Sequence, residues 1–154
     1  MRKPLTAFKY ALWLLERRDY GIREIETKLS RKDFPESEIN ETIIKLTNLK
    51  FLDDERFTKR FVESQQARGN VGNRMIYLKL LKKGIDKELV KGHLVSSDPE
   101  SLTETALKWL KKHSKRKVSN KKAKLFSYLA GRGFNYDEII CTVEDEAVKD
   151  VFID

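Results

Sequence analysis

Cysteine is nearly absent from this chain: Cys141 is the only one, so no disulfide closes within it and no thiolate cluster is available for zinc. Histidine is almost as scarce, with His93 and His113 alone, and neither sits in a motif joining a nucleophile, a base and an orienting group. Gly69-Asn70-Val71-Gly72 lacks the Gly-Lys-Ser/Thr ending of a phosphate-binding loop. Asp53-Asp54-Glu55 has no companion histidine and no EF-hand spacing, and these acids read as helix caps. The expectation is therefore no enzyme, no cofactor and no metal. No apolar run reaches the ~18 residues of a membrane span. Met1-Arg2-Lys3-Pro4 leads into an amphipathic stretch, so neither an export nor a membrane signal is read, and a reducing cytoplasm is expected. Gly/Ser-rich linkers are missing too, which argues against freely rotating domains.

Charge is present in abundance. Of 154 residues, 32 are Lys or Arg and 24 Asp or Glu, a formal net charge of +8, so the long-range field attracts polyanions such as nucleic acid or an acidic protein surface. With 40% hydrophobic and 36% charged residues, the composition is that of a folded, helix-rich protein with densely charged faces.

Ala7, Phe8, Ala11, Leu12 and Leu15 fall at helical spacing and predict an amphipathic helix from about residue 5 to 18. Ile22, Ile25 and Leu29 predict a second helix after Gly21, and Ile39, Ile43, Leu46 and Leu49 a third after Phe34-Pro35. The same logic returns with Phe57 and Phe61, then Ile76 and Leu80, then Val90 and Leu94 after the Lys83-Gly84 stop. It returns again with Ala106 and Leu110, then Leu125 and Leu129, then Ile139 and Val143 after Arg132-Gly133. Superposition aligns Ile25 with Ile76 and Leu125, Leu29 with Leu80 and Leu129, Phe34 with Ile85 and Phe134, and Ile39 with Val90 and Ile139, at offsets of 51 and 49 residues. The fold class expected is all-α: three tandem three-helix repeats (1–52, 53–100 and 101–154) stacked into an elongated, curved molecule, the last ending in an acidic tail.

Between Glu63 and Asp86 stand Arg68, Arg74, Lys79, Lys82 and Lys83 with no acid among them. Between Glu104 and Asp137 stand ten cations and no acid, including Lys115, Arg116 and Lys117 in a loop and Lys121 and Lys122 after it. Each stretch reads either as a solvated helix face or as a phosphate contact with counterion release. The segment from Asp137 to Asp154 is acidic, with Lys149 its one cation: a solubilising end, or a competitor for the basic surface. Trp13 and Trp109 lie on first helices of units, where burial between helices is expected over base stacking, and Phe57 and Phe61 are expected in the core. Tyr20, Tyr77 and Tyr128 suit either role.

The stretches ALWLLERRDYGIREIETKL (Ala11–Leu29), LKFLDDERFTKRF (Leu49–Phe61) and ARGNVGNRMIYLKLLKKGI (Ala67–Ile85) resemble the RecX family of bacterial regulatory proteins in order and spacing. The first unit departs from the pattern with Lys32-Asp33 at its turn and Gly21 where a capping serine is commoner; aspartate tolerates a left-handed turn. The resemblance implies a monomer that binds the groove of the RecA filament on single-stranded DNA. It also implies restraint of filament growth and inhibition of ATPase, strand-exchange and coprotease activities, with no covalent chemistry; weak direct binding to nucleic acid is a further possibility left open beside the RecA contact. The contacts it suggests are Arg56, Arg60, Arg68, Arg74, Lys79, Lys82 and Lys83, with Lys115, Arg116, Lys117, Lys121 and Lys122 second to them. Arg56 and Arg60 could instead form local ion pairs with Glu63 or Asp53. The alternative reading is a general DNA-binding protein with helix-turn-helix-like units.

Overall fold

The computed structural model describes residues 5–114 and 120–153, and among them it shows ten helices and no strand. They are α1 (Ala7–Leu15), α2 (Ile22–Ser30), α3 (Glu36–Asn48), α4 (Asp54–Ala67), α5 (Asn73–Lys82), α6 (Lys87–His93), α7 (Pro99–His113), α8 (Lys121–Gly131), α9 (Tyr136–Glu144) and α10 (Glu146–Ile153). The chain divides into two compact units: Met1–Arg60 with Leu80–Gly92, and Phe61–Lys79 with His93–Asp154. The divisions fall inside α4 and inside α5.

The first unit is built on a core of Ala7, Ala11, Leu14, Tyr20, Ile25, Leu29, Ile39, Leu46 and Leu52. Its helices start where the sequence offers acceptors to their unpaired amides. Thr6 caps α1 by accepting from the Lys9 amide at 3.3 Å, while Ala7 N–H donates to Glu38 Oε1 of α3 at 2.8 Å. Gly21 has no side chain with which to cap α2, and the acceptor comes from elsewhere: Ile22 N–H donates to Asp54 Oδ1 at 2.9 Å. The two neighbouring aspartates thus serve different helices, since Asp53 Oδ1 accepts from the Arg56 amide at 3.0 Å and caps α4.

The second unit centres on Leu102, Ala106, Leu110, Leu125, Leu129, Phe134, Ile139, Val143 and Val148. Asp98 caps α7 through the Ser101 amide at 3.1 Å, with Pro99 at the first helical position. Asn135 and Glu138 form a reciprocal capping box on α9, both bonds 2.9 Å. The acidic segment expected as a tail is helical instead: α10 buries Val148 completely and packs Val151 and Phe152 against the core. Val148, Val151 and Phe152 fall at i, i+3 and i+4, so an apolar stripe runs beneath the acids.

The repeat seen in the sequence recurs at atomic detail. Ile25, Leu29, Ile76, Leu80, Leu125 and Leu129 are all completely buried. The three equivalent helices end identically, with left-handed residues at Asp33 (φ 60°), Gly84 (φ 82°) and Gly133 (φ 89°). Each is followed by an apolar residue whose amide reaches back: Phe34 to Leu29 O at 3.4 Å, Ile85 to Leu80 O at 3.1 Å, Phe134 to Leu129 O at 3.3 Å. Aspartate at the first of these turns adopts the left-handed conformation that glycine takes at the other two.

The Arg68-Gly69…Gly72…Arg74 element is a packing device. Gly69 is left-handed (φ 65°), its carbonyl accepts from Thr105 Oγ1 at 2.8 Å, and any Cβ there would collide with Ser101. Gly72 lies main chain to main chain against Gly133: its amide donates to Arg132 O at 2.9 Å, and Arg74 N–H donates to Gly133 O at 3.2 Å.

Candidate polyanion interface

The residues expected to meet RecA or DNA are exposed for the most part, but they are differently tied. In the first unit, Arg56 Nη2 donates to Lys50 O at 2.8 Å and Arg60 Nη1 pairs with Asp19 Oδ2 at 3.3 Å, so neither uses Glu63 or Asp53 as an ion-pair partner. Lys83 is half-buried and pairs with Glu24 Oε1 at 2.9 Å; Lys82 is exposed. In the second unit Arg68 and Arg74 are exposed, Lys79 Nζ donates to Gln65 Oε1 at 3.2 Å, Lys121 is half-buried, and Lys122 pairs with Glu144 at 3.1 Å. Lys115, Arg116 and Lys117 lie outside the described residues.

Lys82 and Lys83 are brought together with four cations that a scan for acid-free stretches passes over. A groove of about 570 Å³ in the first unit is lined by Arg18, Arg23, Lys28, Arg31, Lys82 and Lys83, with Glu24, Thr27, Leu81 and Gly84 completing it. Arg23, Thr27 and Arg31 recur at i, i+4 and i+8 and so share one face of α2; of the two acids between them in sequence, Glu24 also lines the groove and Glu26 does not. That four-residue spacing was the available signal. The far wall of the groove depends on Gly84: Arg23 Cδ, Cβ and Cγ lie 2.6, 2.7 and 3.1 Å from where a Cβ would stand, so only glycine admits the α2 side chain.

Six cations face a single carboxylate in this groove. Glu24 is shared three ways, accepting from Lys83 at 2.9 Å, from the Gly21 amide at 3.3 Å and from Arg18 Nη2 at 3.4 Å. Arg18 is pushed further towards its charged form, chiefly by a hydrogen bond with Tyr20 and secondarily by the Tyr20 and Glu24 charges. At the start of α2, the Asp54 carboxyl is raised from its ordinary value because burial penalises its charge, an effect that the Ile22 amide partly offsets. A groove with this excess of fixed positive charge concentrates phosphates or carboxylates at its mouth. Among the described residues no group of histidines, cysteines and carboxylates is arranged to hold a metal ion, and no helix is long and apolar enough to cross a membrane.

The family models for the first and second three-helix domains of RecX match residues 7–46 and 53–94. This chain belongs to the RecX family. The regulatory protein RecX of Chlorobium phaeobacteroides is 33% identical over 140 residues, covering 90% of this chain and 91% of that protein. The RecX of Mannheimia succiniciproducens is 34% identical over 132 residues, covering 83% and 86%. The crystal structure of RecX from Lactobacillus salivarius superimposes with a TM-score of 0.76 at 26% identity over 96% of both chains. The family is one of regulatory proteins, and the all-helical repeat matches its known architecture.

Proposed function

We propose that this RecX-family chain is a negative regulator of the RecA recombinase that binds the RecA filament on single-stranded DNA. It acts by occupancy, obstructing filament extension and with it ATP hydrolysis, strand exchange and coprotease activity, and performs no chemistry of its own. Family membership across both three-helix domains carries this reading. The groove of six cations supports it, because a filament on DNA offers both phosphates and acidic protein surface.

The contacts proposed are Arg56, Arg60, Lys82 and Lys83 in the first unit and Arg68, Arg74, Lys79, Lys121 and Lys122 in the second, together with Lys115, Arg116 and Lys117. Clusters rather than single residues are the proper unit of mutation, since a broad interface absorbs single losses. The test adds the purified chain to RecA assembled on single-stranded DNA and follows ATP hydrolysis at physiological salt. Falling hydrolysis that charge reversal of the cluster abolishes is the expected result. Unchanged hydrolysis at saturating ratios overturns the reading, and tight sequence-selective binding to duplex DNA would replace it with that of a helix-turn-helix DNA-binding protein.

A further inference from the structure

The two tryptophans occupy first helices of different repeats, and their surroundings differ. Trp109 packs against the core of the second unit, stacked on His113 with ring centroids 4.3 Å apart and against Tyr128 at 5.8 Å. Trp13 does not take the buried position that its sequence context predicts: it is 46% exposed. The cause is its position on α1, where Ala7, Ala11 and Leu14 form the buried face and Trp13 projects from the opposite one.

An exposed indole standing alone needs no special explanation. Trp13 does not stand alone. Tyr10 stacks on it at 5.7 Å with planes 18° apart, and the Arg17 guanidinium lies 3.4 Å from the indole centroid. Lys32 Nζ is 5.7 Å from the Tyr10 ring. Next in the chain, Arg18 covers Tyr20 at 3.9 Å, and Lys28 approaches the same ring at 5.4 Å. Arg18 and Lys28 both line the basic groove; Tyr20 itself belongs to the core at 8% exposure, so the strip of rings and cations offers a ligand one accessible platform, Trp13 with Tyr10, beside Arg17 and Lys32.

We infer that this strip is a binding site for single-stranded nucleic acid, with an unstacked base on the Trp13–Tyr10 platform and the adjoining phosphates in the groove at Arg18, Lys28 and Arg31. Alternation of aromatic rings with cations is the arrangement that single strands require, because every base has a face to stack and every nucleotide a charge to neutralise. A duplex keeps its bases stacked internally and cannot use the ring. An acidic protein surface would satisfy the cations but leaves the indole without a stacking partner. Arg17, exposed and sitting on the ring in the free protein, is the group that a base displaces, and its guanidinium then becomes available to a phosphate. The inference deepens the proposed function by naming the component of the filament that the first unit would touch, and it is tested without RecA so that the two stand or fall separately.

The full chain carrying Trp109→Phe leaves Trp13 as the sole indole emitter. Oligothymidylate, a duplex of equal length and poly-glutamate are titrated against it while anisotropy of a labelled strand reports affinity. Quenching of Trp13 by oligothymidylate, and by neither of the others, is expected. Trp13→Ala, at an exposed position and checked for helicity by circular dichroism, should weaken oligothymidylate binding roughly tenfold, within the range of one lost base stack, while leaving the salt dependence of binding unchanged. Lys28→Glu with Arg31→Glu should instead flatten the salt dependence. Equal quenching by poly-glutamate, or oligothymidylate binding that leaves Trp13 emission unchanged and is unaffected by Trp13→Ala, overturns the inference.

Discussion

Gly72→Ala is the sharpest test of how the second unit is joined. The added methyl would fall inside contact distance of the Gly133 carbonyl carbon and oxygen and of the Phe134 amide nitrogen. All three are main-chain atoms, so no rotamer change relieves the clash and the two segments must part. Parting them breaks or stretches the hydrogen bonds that Gly72 N–H donates to Arg132 O (2.9 Å) and Arg74 N–H donates to Gly133 O (3.2 Å). Leaving a buried amide unpaired costs about 1–3 kcal/mol, and the overpacking itself adds about 1–3 kcal/mol. The sum, about 2–6 kcal/mol, is a large share of the roughly 5–15 kcal/mol that holds a typical domain folded. Urea unfolding of Gly72→Ala in a Trp13→Phe background, read by Trp109 emission within the second unit, measures it directly. A midpoint unchanged to within about 0.5 kcal/mol, the scatter of ordinary surface changes, would refute the account of the Arg-Gly…Gly…Arg element as a packing device.

Gly131 lies at the end of α8 with nothing within 4 Å of a Cβ, so Gly131→Ala should stabilise the chain by up to about 1 kcal/mol in the same titration. Gly84→Ala should destabilise the first unit by more than the roughly 1–2 kcal/mol of a left-handed alanine, because the methyl also meets Arg23; thermal melts show it. Asp54→Asn keeps an acceptor for the Ile22 amide and removes a charge disfavoured by burial, whereas Asp54→Ala removes both, so the alanine variant should be about 1 kcal/mol less stable than the asparagine one. The sign of the pH dependence follows from the raised native pKa of Asp54. The native state keeps a proton that the unfolded chain has released, so this residue's contribution to stability is fully present below the ordinary aspartate pKa. It is lost as pH rises through the raised native value. Chemical denaturation across that window should show wild type losing stability relative to Asp54→Asn with rising pH.

Most of the fold could be read from the sequence because three-helix units repeat their apolar positions. Ile25, Ile76 and Leu125 align in sequence and are all fully buried, and the turn at Asp33 takes the conformation that its alignment with Gly84 and Gly133 demands. Helix α10 was hidden by its acids: charge counted along the chain registers Glu146 and Asp150 and passes over Val148 between them. The groove was hidden for the converse reason. Arg23, Lys28 and Arg31 alternate with Glu24 and Glu26, so linear charge nearly cancels, and only the fold turns Glu26 away and adds Lys82 and Lys83, leaving Glu24 as the one acid among six cations. Trp13 was misjudged because its place on a first helix says nothing of which face it occupies, and it lies off the buried face of Ala7, Ala11 and Leu14.

The bond from the Ile22 amide to Asp54 has a bearing on how such a chain evolves. Ile22 belongs to the first matched three-helix domain and Asp54 to the second, yet the first amide of α2 in the one finds its acceptor in the other. The first matched domain therefore does not close on itself, since its compact unit also takes in Asp54 and residues 80–92 of the second. A copy of the first domain cut free at residue 52 would lose its cap, and recombining domains from different relatives would succeed only where the donor of the second brings a side chain of aspartate's length and polarity to that position. The need for an acceptor at Asp54 is thus set by an amide 32 residues away, on the far side of the boundary between the two matched domains.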